Sequence, residues 1–183
     1  IYGTLGNSDI SIKEDTYGSI NHLNDRSVYA ESKKMGEAIC QAYSQKSNCK
    51  VLIARPFHTY GPGINLNDGR VFADLVNSVV NKKDIILNTA GENYRPFCYI
   101  SDATVAFLKI LLEGKNANAY NVSNPKCEIK IKDLANELAM LRKDSLIKVR
   151  ILKKNSLSNP LKRQNVSIEK VKSLDWFPKI GIR

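Results

Sequence analysis

The chain has 183 residues, 43% hydrophobic and 25% charged, which suits a globular protein with one sizeable core or part of a larger domain with a small second lobe. Its formal charge of +10 is uneven: residues 126–183 hold 15 Lys and Arg against 6 Asp and Glu, whereas residues 1–125 hold 13 against 12. Four scattered cysteines without a CxxC argue against zinc or a disulfide framework, and the best apolar run, Val105 to Leu112, is broken by Lys109, far short of the ~20 residues a membrane helix needs.

In chain order, Ile1-Tyr2-Gly3 opens directly on a turn signal, which reads as truncation of a longer chain. A helix is expected from Tyr29 to about Gln45, because Met35, Ile39, Ala42 and Tyr43 recur at three- and four-residue spacing. Val51–Ala54 is a short apolar run of the kind buried in a parallel sheet, ended by the turn Tyr60-Gly61-Pro62-Gly63. A second helix should run from Val71 to Asn81, with Phe72, Leu75, Val76 and Val79 on one face. Strands are expected at Ile85–Leu87 and Phe97–Ile100, then a helix Ala103–Glu113 with Ser101-Asp102 as its cap and Gly114 as its end. Tyr120–Val122 reads as a strand, Ile131–Arg142 as a helix, Val149–Leu152 as a strand and Ile168–Leu174 as a last helix. Alternation of this kind implies an α/β sheet with helices on both faces. No GxGxxG phosphate-binding turn occurs in the 183 residues.

Tyr29 and Lys33 lie four residues apart, so a helix projects them from one face, one turn apart. A phenol ordinarily ionises near ~10, and a nearby ammonium favours the phenolate, which suits acid–base work on a hydroxyl. The pair alone is also a common surface arrangement.

The ordered context is more specific. Tyr29-Ala30-Glu31-Ser32-Lys33 with Glu37 resembles a YxxSKxxxE helix, and Arg55-Pro56-Phe57-His58-Thr59-Tyr60-Gly61-Pro62 resembles R-x-F-N-x-Y-G-P. Arg95-Pro96-Phe97 through Asp102 resembles R-x-F-x-x-V-x-D, and Leu174-Asp175-Trp176-Phe177-Pro178 resembles L-G-W-x-P. Ile1-Tyr2-Gly3 looks like the end of a strand carrying a catalytic Ser or Thr just upstream, and Glu14-Asp15 like the acidic pair of the following loop. Together these resemble the extended short-chain dehydrogenase/reductase family, in its nucleotide-sugar epimerase, dehydratase and decarboxylase branch, over nearly the whole chain.

The resemblance implies the C-terminal part of a Rossmann-type doubly wound parallel sheet plus a small α/β substrate-binding lobe. Residues 1–60 would belong to the NAD-binding domain and 61–183 mainly to the substrate lobe, with about 85–122 returning to the Rossmann sheet. It implies Tyr29 as catalytic acid–base, Lys33 as its tuner and a ligand of the nicotinamide ribose, and Pro56, Phe57 and His58 beside NAD. His58, Arg70, Arg95 and Arg163 fall on the nucleotide-diphosphate sugar, where forked guanidinium groups fit phosphate oxygens. The implied reaction oxidises a hexose C4 hydroxyl, and the resulting ketone permits epimerisation, 4,6-dehydration or loss of a C6 carboxylate. The Asn67–Val71 segment resembles UDP-glucuronate decarboxylases and tilts the expectation toward dehydratase or decarboxylase. A cytoplasmic homodimer without a membrane or metal site is expected of the complete protein, and nucleic acid is not its expected partner.

Three departures bear on these expectations. His58 stands where relatives carry Asn, Asp175 replaces a helix-ending Gly, and the Gly-rich turn and catalytic Ser or Thr are not in the sequence. The chain alone is therefore expected to be inactive, and to expose an open sheet edge and an apolar face. The competing class is a non-catalytic relative that senses a dinucleotide or binds RNA, which the basic last third alone supports.

Overall fold

The computed structural model describes residues 1–3, 5, 11–24, 27–144, 146–152 and 163–182. Helices flank a Rossmann-like arrangement of parallel and antiparallel strands, which group into short sheets among the described residues. Strand β1 (Leu52–Pro56) pairs in parallel with β5 (Asn118–Val122), from Leu52 opposite Asn118 to Pro56 opposite Val122. The intervening elements include β2 (His58–Tyr60), α2 (Val71–Val80), β3 (Ile85–Leu87), β4 (Tyr94–Tyr99) and α3 (Ile100–Glu113). Beyond β5 come β6 (Glu128–Lys130), α4 (Ile131–Leu141), β7 (Val149–Ile151) and the short α5 (Glu169–Lys172). Preceding them all is α1 (Ser27–Lys46).

Two apolar cores follow from the sequence pattern. In the first, Ala103, Ala106 and Ile110 of α3 pack on Tyr120 and Val122 of β5, and Val171, Leu174 and Trp176 close the other side. The second gathers Leu75 of α2 and Leu134, Ala135 and Ala139 of α4 around Ile85, Leu87, Phe97 and Ile129. Each fully buried aliphatic side chain such as Ile85 contributes about 1.5–3 kcal/mol. Gly114 is required where α3 turns back toward β5: a Cβ there would lie 2.4 Å from Ile110 O and 2.9 Å from Leu52 Cδ2.

The expected helices and strands are present, with ends displaced by a few residues. Strand β4 begins at Tyr94 despite Pro96, because its first half pairs only with β6 (Tyr94 to Lys130, Pro96 to Glu128) and its second half only with β2. Proline therefore interrupts no ladder on a second side. Strands β2 and β6, of three residues each, add to the expected set.

The assignment of Asp102 as a helix cap is corrected. Tyr99 is the N-cap of α3 and makes no side-chain cap bond, so Asp102 lies inside the first turn and is 7% exposed. Its Oδ2 instead accepts the backbone N–H groups of Lys179 (2.9 Å) and Ile180 (2.8 Å), and its carbonyl accepts Trp176 Nε1 at 3.0 Å. Two backbone donors from a distant segment thus take the carboxylate that a local cap would have used. Asp175 adopts φ +56°, the left-handed conformation that Gly usually supplies, in the turn that follows α5 and its C-cap Ser173.

Candidate active site

Helix α1 begins where Ser27 is buried, its N–H on Asn24 O (2.8 Å) and its hydroxyl on His22 O (3.0 Å). Two residues on, Tyr29 is 70% exposed, and Lys33 Nζ lies 5.5 Å from the centre of its ring. This is the one-turn stacking that the four-residue spacing implies, and the separation lies within cation–π range. Among the described residues no acidic group is paired with Lys33, so both polar ends face outward together.

One turn beyond Lys33, Glu37 meets Arg55 of β1 in a forked pair, Nε to Oε1 at 2.8 Å and Nη2 to Oε2 at 2.6 Å. Arg55 Nη1 also donates to the Tyr2 hydroxyl and the Glu14 carbonyl, both at 2.8 Å. The Tyr2 hydroxyl donates onward to Asn121 Oδ1, and Glu14 Oε1 accepts the Asn121 N–H at 2.8 Å. Asn121 is fully buried and spends its amide on Ile12 O and Ser167 O, each at 3.1 Å. Burial pushes the Tyr2 phenol up; burial also acts to lower Arg55, but its bonds to Glu37 and Tyr2 outweigh this and raise it.

Beside this network lies a cleft of about 210 Å³, bordered by Tyr2, Arg55, Pro56, Phe57 and Gln164. Phe57 stacks on Tyr2 with centroids 6.1 Å apart, and its N–H donates to Val122 O at 2.9 Å, which fixes the chain as it leaves β1. Next along, His58 opens β2 opposite Phe97, whose ring it meets edge-on at 5.6 Å. Crowding of the ring and then the Arg95 guanidinium push the His58 imidazole down to about 4. The residue keeps surface to solvent, and the neighbouring cation disfavours a second positive charge on it.

Arg95 sits in β4 and donates to Tyr94 O at 2.6 Å, its own pKa lowered by burial. Arg163 forks onto Glu128 Oε2 at 2.7 Å and lies 5.7 Å over the Tyr94 ring, so it borders the same three-stranded sheet. Arg70 stands apart: it precedes α2, exposed, with its Nε on Asp68 Oδ2 at 2.5 Å. Thus His58 and Arg95 lie on the β2–β4–β6 sheet that Arg163 borders, Tyr29 and Lys33 share one face of α1, and Arg70 lies on a separate loop. The tie between the first two groups runs through Glu37 and Arg55, residues that the sequence motifs contain but to which sequence reasoning gave no role. Asn121 was also missed, although a lone Asn inside the apolar run Tyr120–Val122 is a usable signal.

Among the described residues no group of three His, Cys, Asp or Glu is placed to hold a metal ion, and no helix is long and apolar enough to cross a membrane.

Comparisons with known proteins bear on the family and the fold of the chain. Residues 1–123 match the model of the NAD dependent epimerase/dehydratase family. Among curated proteins of Arabidopsis thaliana, UDP-glucuronic acid decarboxylase 1 is 32% identical over 178 residues, covering 93% of this chain and 38% of that protein. UDP-glucuronic acid decarboxylase 3 is 31% identical over 171 residues, covering 93% of this chain and 48% of that protein. The chain therefore spans about half the length, or less, of these curated relatives. Among solved structures, dTDP-glucose 4,6-dehydratase from Streptomyces venezuelae, with NAD and TYD bound, superposes with a TM-score of 0.80 at 20% identity. The match covers 99% of this chain and 53% of that one, and at this identity it shows the fold alone. RMD from Pseudomonas aeruginosa, complexed with NADPH, gives 0.79 at 25% identity, covering 98% of this chain and 58% of that one. On the family model and the shared fold, the chain belongs to the NAD dependent epimerase/dehydratase family.

Proposed function

We propose that this chain supplies the acid–base pair and the substrate-side residues of an NAD-dependent enzyme that modifies a nucleotide sugar through a transient 4-keto intermediate. The observation that carries the reading is the outward-facing Tyr29 hydroxyl with the Lys33 ammonium one turn along, in a chain of this family. Decarboxylation or 4,6-dehydration is favoured over epimerisation, since curated relatives at 31–32% identity are named UDP-glucuronic acid decarboxylases.

The residues present fit the cofactor. Lys33 and Tyr29 offer donors to a ribose diol, and Pro56 and Phe57 give the cleft an apolar wall for a nicotinamide ring. NAD, when bound, supplies the hydride acceptor at the sugar C4. Tyr29 takes the C4 hydroxyl proton and later returns it, with the Lys33 ammonium one turn along the same helix face. Arg95, Arg70 and Arg163 are the guanidinium groups for the diphosphate, and His58, kept neutral near pH 7, presents one donor and one acceptor to the sugar. Arg163 would exchange its Glu128 contact for phosphate oxygens.

The pairing of β1 with β5 supports residues 1–60 as the NAD side, with the segment about 85–122 returning to it from a lobe spanning 61–183. The complete enzyme is a cytoplasmic homodimer on this reading. Among the described residues, several cations of the basic last third form ion pairs, such as Lys130 with Glu92, Arg150 with Asp84 and Lys172 with Glu169, which favours a solvated surface over a nucleic-acid interface.

The test is Tyr29→Phe in the complete protein, assayed with UDP-glucuronate and with a UDP-hexose for carbon dioxide or water loss. Turnover should fall ~10²- to 10⁴-fold. Undiminished turnover would eliminate the acid–base role.

A further inference from the structure

Helix α1 carries the proposed acid–base pair, and within this chain few apolar side chains cover it. Ser27 is its one buried residue, while Val28, Met35, Ile39 and Tyr43 remain 73, 62, 53 and 63% exposed. The helix is joined to its surroundings by directional polar bonds, on a stripe that continues from Tyr29 and Lys33 at the same four-residue spacing. Glu37 makes the forked pair with Arg55, and Gln41 Nε2 donates to Ala117 O at 2.7 Å. Arg55 is itself locked by the Tyr2 hydroxyl and the Glu14 carbonyl, and it directly precedes Pro56, Phe57 and His58. One guanidinium therefore connects the helix of the proton carrier to the wall of the proposed ligand cleft.

Four helical residues advance about 6 Å, so Tyr29 lies about 12 Å along the axis from Glu37. A tilt of α1 by about 5° about Glu37 then displaces the level of Tyr29 by about 1 Å. A misplacement of that size costs on the order of 10²-fold in rate when the group must meet a reacting atom. An apolar contact tolerates such a tilt, because dispersion and burial have little directionality. A two-bond carboxylate–guanidinium fork resists it, because both bonds must stretch or bend together.

We propose that the Glu37–Arg55 fork sets the placement of Tyr29 and Lys33 against the ligand cleft, making Glu37 a positioning residue that touches neither substrate nor cofactor. This rests on the reading of Tyr29 and Lys33 as the acid–base pair, and it adds to that reading the device that aims them.

The test compares Glu37→Gln, which keeps shape and removes charge, and Glu37→Ala in the complete enzyme. Single-turnover reduction of bound NAD by the nucleotide sugar is followed by near-ultraviolet absorbance, and amide hydrogen exchange along α1 is read without ligands. Positioning predicts a rate constant reduced ~10- to 100-fold with its amplitude retained, KM within about twofold, since Arg95 and Arg70 lie off α1, and faster exchange around Tyr29 and Lys33. A rate constant within twofold of the parent in Glu37→Gln overturns the inference. So does a loss confined to the amplitude, which is the mark of a smaller folded fraction; if Glu37→Ala does not fold, Glu37→Gln decides. Tyr29→Phe is run beside them: full turnover there sinks the acid–base reading itself, whereas silent Glu37 variants beside an inactive Tyr29→Phe sink only the positioning role.

Discussion

Replacing Asp102 by Ala should be among the most damaging single changes in the first core. The carboxylate accepts two backbone N–H groups, from Lys179 at 2.9 Å and Ile180 at 2.8 Å, in a position 7% exposed. Hydrogen bonds to a charged group contribute about 1.5–3 kcal/mol each, and donors left unpaired in a buried site lose most of that. A further ~0.3–1 kcal/mol comes from a negative charge in the first turn of α3. Part of the loss is recovered because the freed segment reaches water, so about 3–5 kcal/mol is expected. For a protein of this size that corresponds to a melting temperature lower by about 6–20 °C. Asp102→Asn retains an acceptor oxygen and loses only the charge, so it should cost less than half as much. Thermal and denaturant unfolding of the complete protein measure both values. The emission of Trp176, the chain's one tryptophan, buried with its Nε1 on the Asp102 carbonyl, reports the loosening locally as a red shift. A melting temperature within about 2 °C of the parent for Asp102→Ala would refute the assignment of the C-terminal segment's anchorage to this carboxylate.

Other outcomes follow from the same geometry. His58 has a folded-state pKa depressed from 6.5 to about 4, so between those values the unfolded chain binds the extra proton. Stability from this group is complete above pH 6.5 and declines as pH falls toward 4; His58→Asn should flatten that interval, and an unchanged slope counts against the assignment. Gly114→Ala places a Cβ 2.4 Å from Ile110 O and should cost about 1–3 kcal/mol, read as a denaturant midpoint shift with constant m; a neutral result would mean that α3 ends elsewhere. The chain by itself exposes Val28, Met35, Ile39 and Tyr43 on α1 and Val105, Leu108, Leu111 and Leu112 on α3, so it should self-associate in size-exclusion chromatography. A monomer with a sharp thermal transition would contradict this, and Leu108→Lys with Leu112→Lys should reduce association while preserving helical circular dichroism.

What was legible in the sequence and what was not divide along a physical line. Helices α2, α3 and α4 could be read because each turns an apolar stripe into a core within this chain: Leu75, Ala106, Ile110 and Leu134 are all buried. The spacing of Met35, Ile39 and Tyr43 marks α1 as a helix, yet that stripe stays exposed within this chain, since periodicity reports that a face is apolar and not what covers it. Sequence spacing also foresaw Lys33 beside Tyr29, because a helix makes four residues apart a local fact. The bonds that assemble the candidate site are not local. Arg55 reaches Tyr2 across 53 positions, Asn121 reaches Glu14 across 107, and Asp102 reaches Lys179 across 77. No propensity or period carries such pairings, which is why Asp102 resembles a cap in the sequence: its nearest partners along the chain are helix N–H groups, while its actual partners arrive only after the chain has folded. The polar residues that looked least informative, Asn121 inside a strand and Asp102 beside a serine, therefore join the segments that apolar patterning leaves separate. A buried polar side chain within an apolar run is best read as a long-range bond whose partner is still to be found, because burial without one would cost more than the run gains from that position.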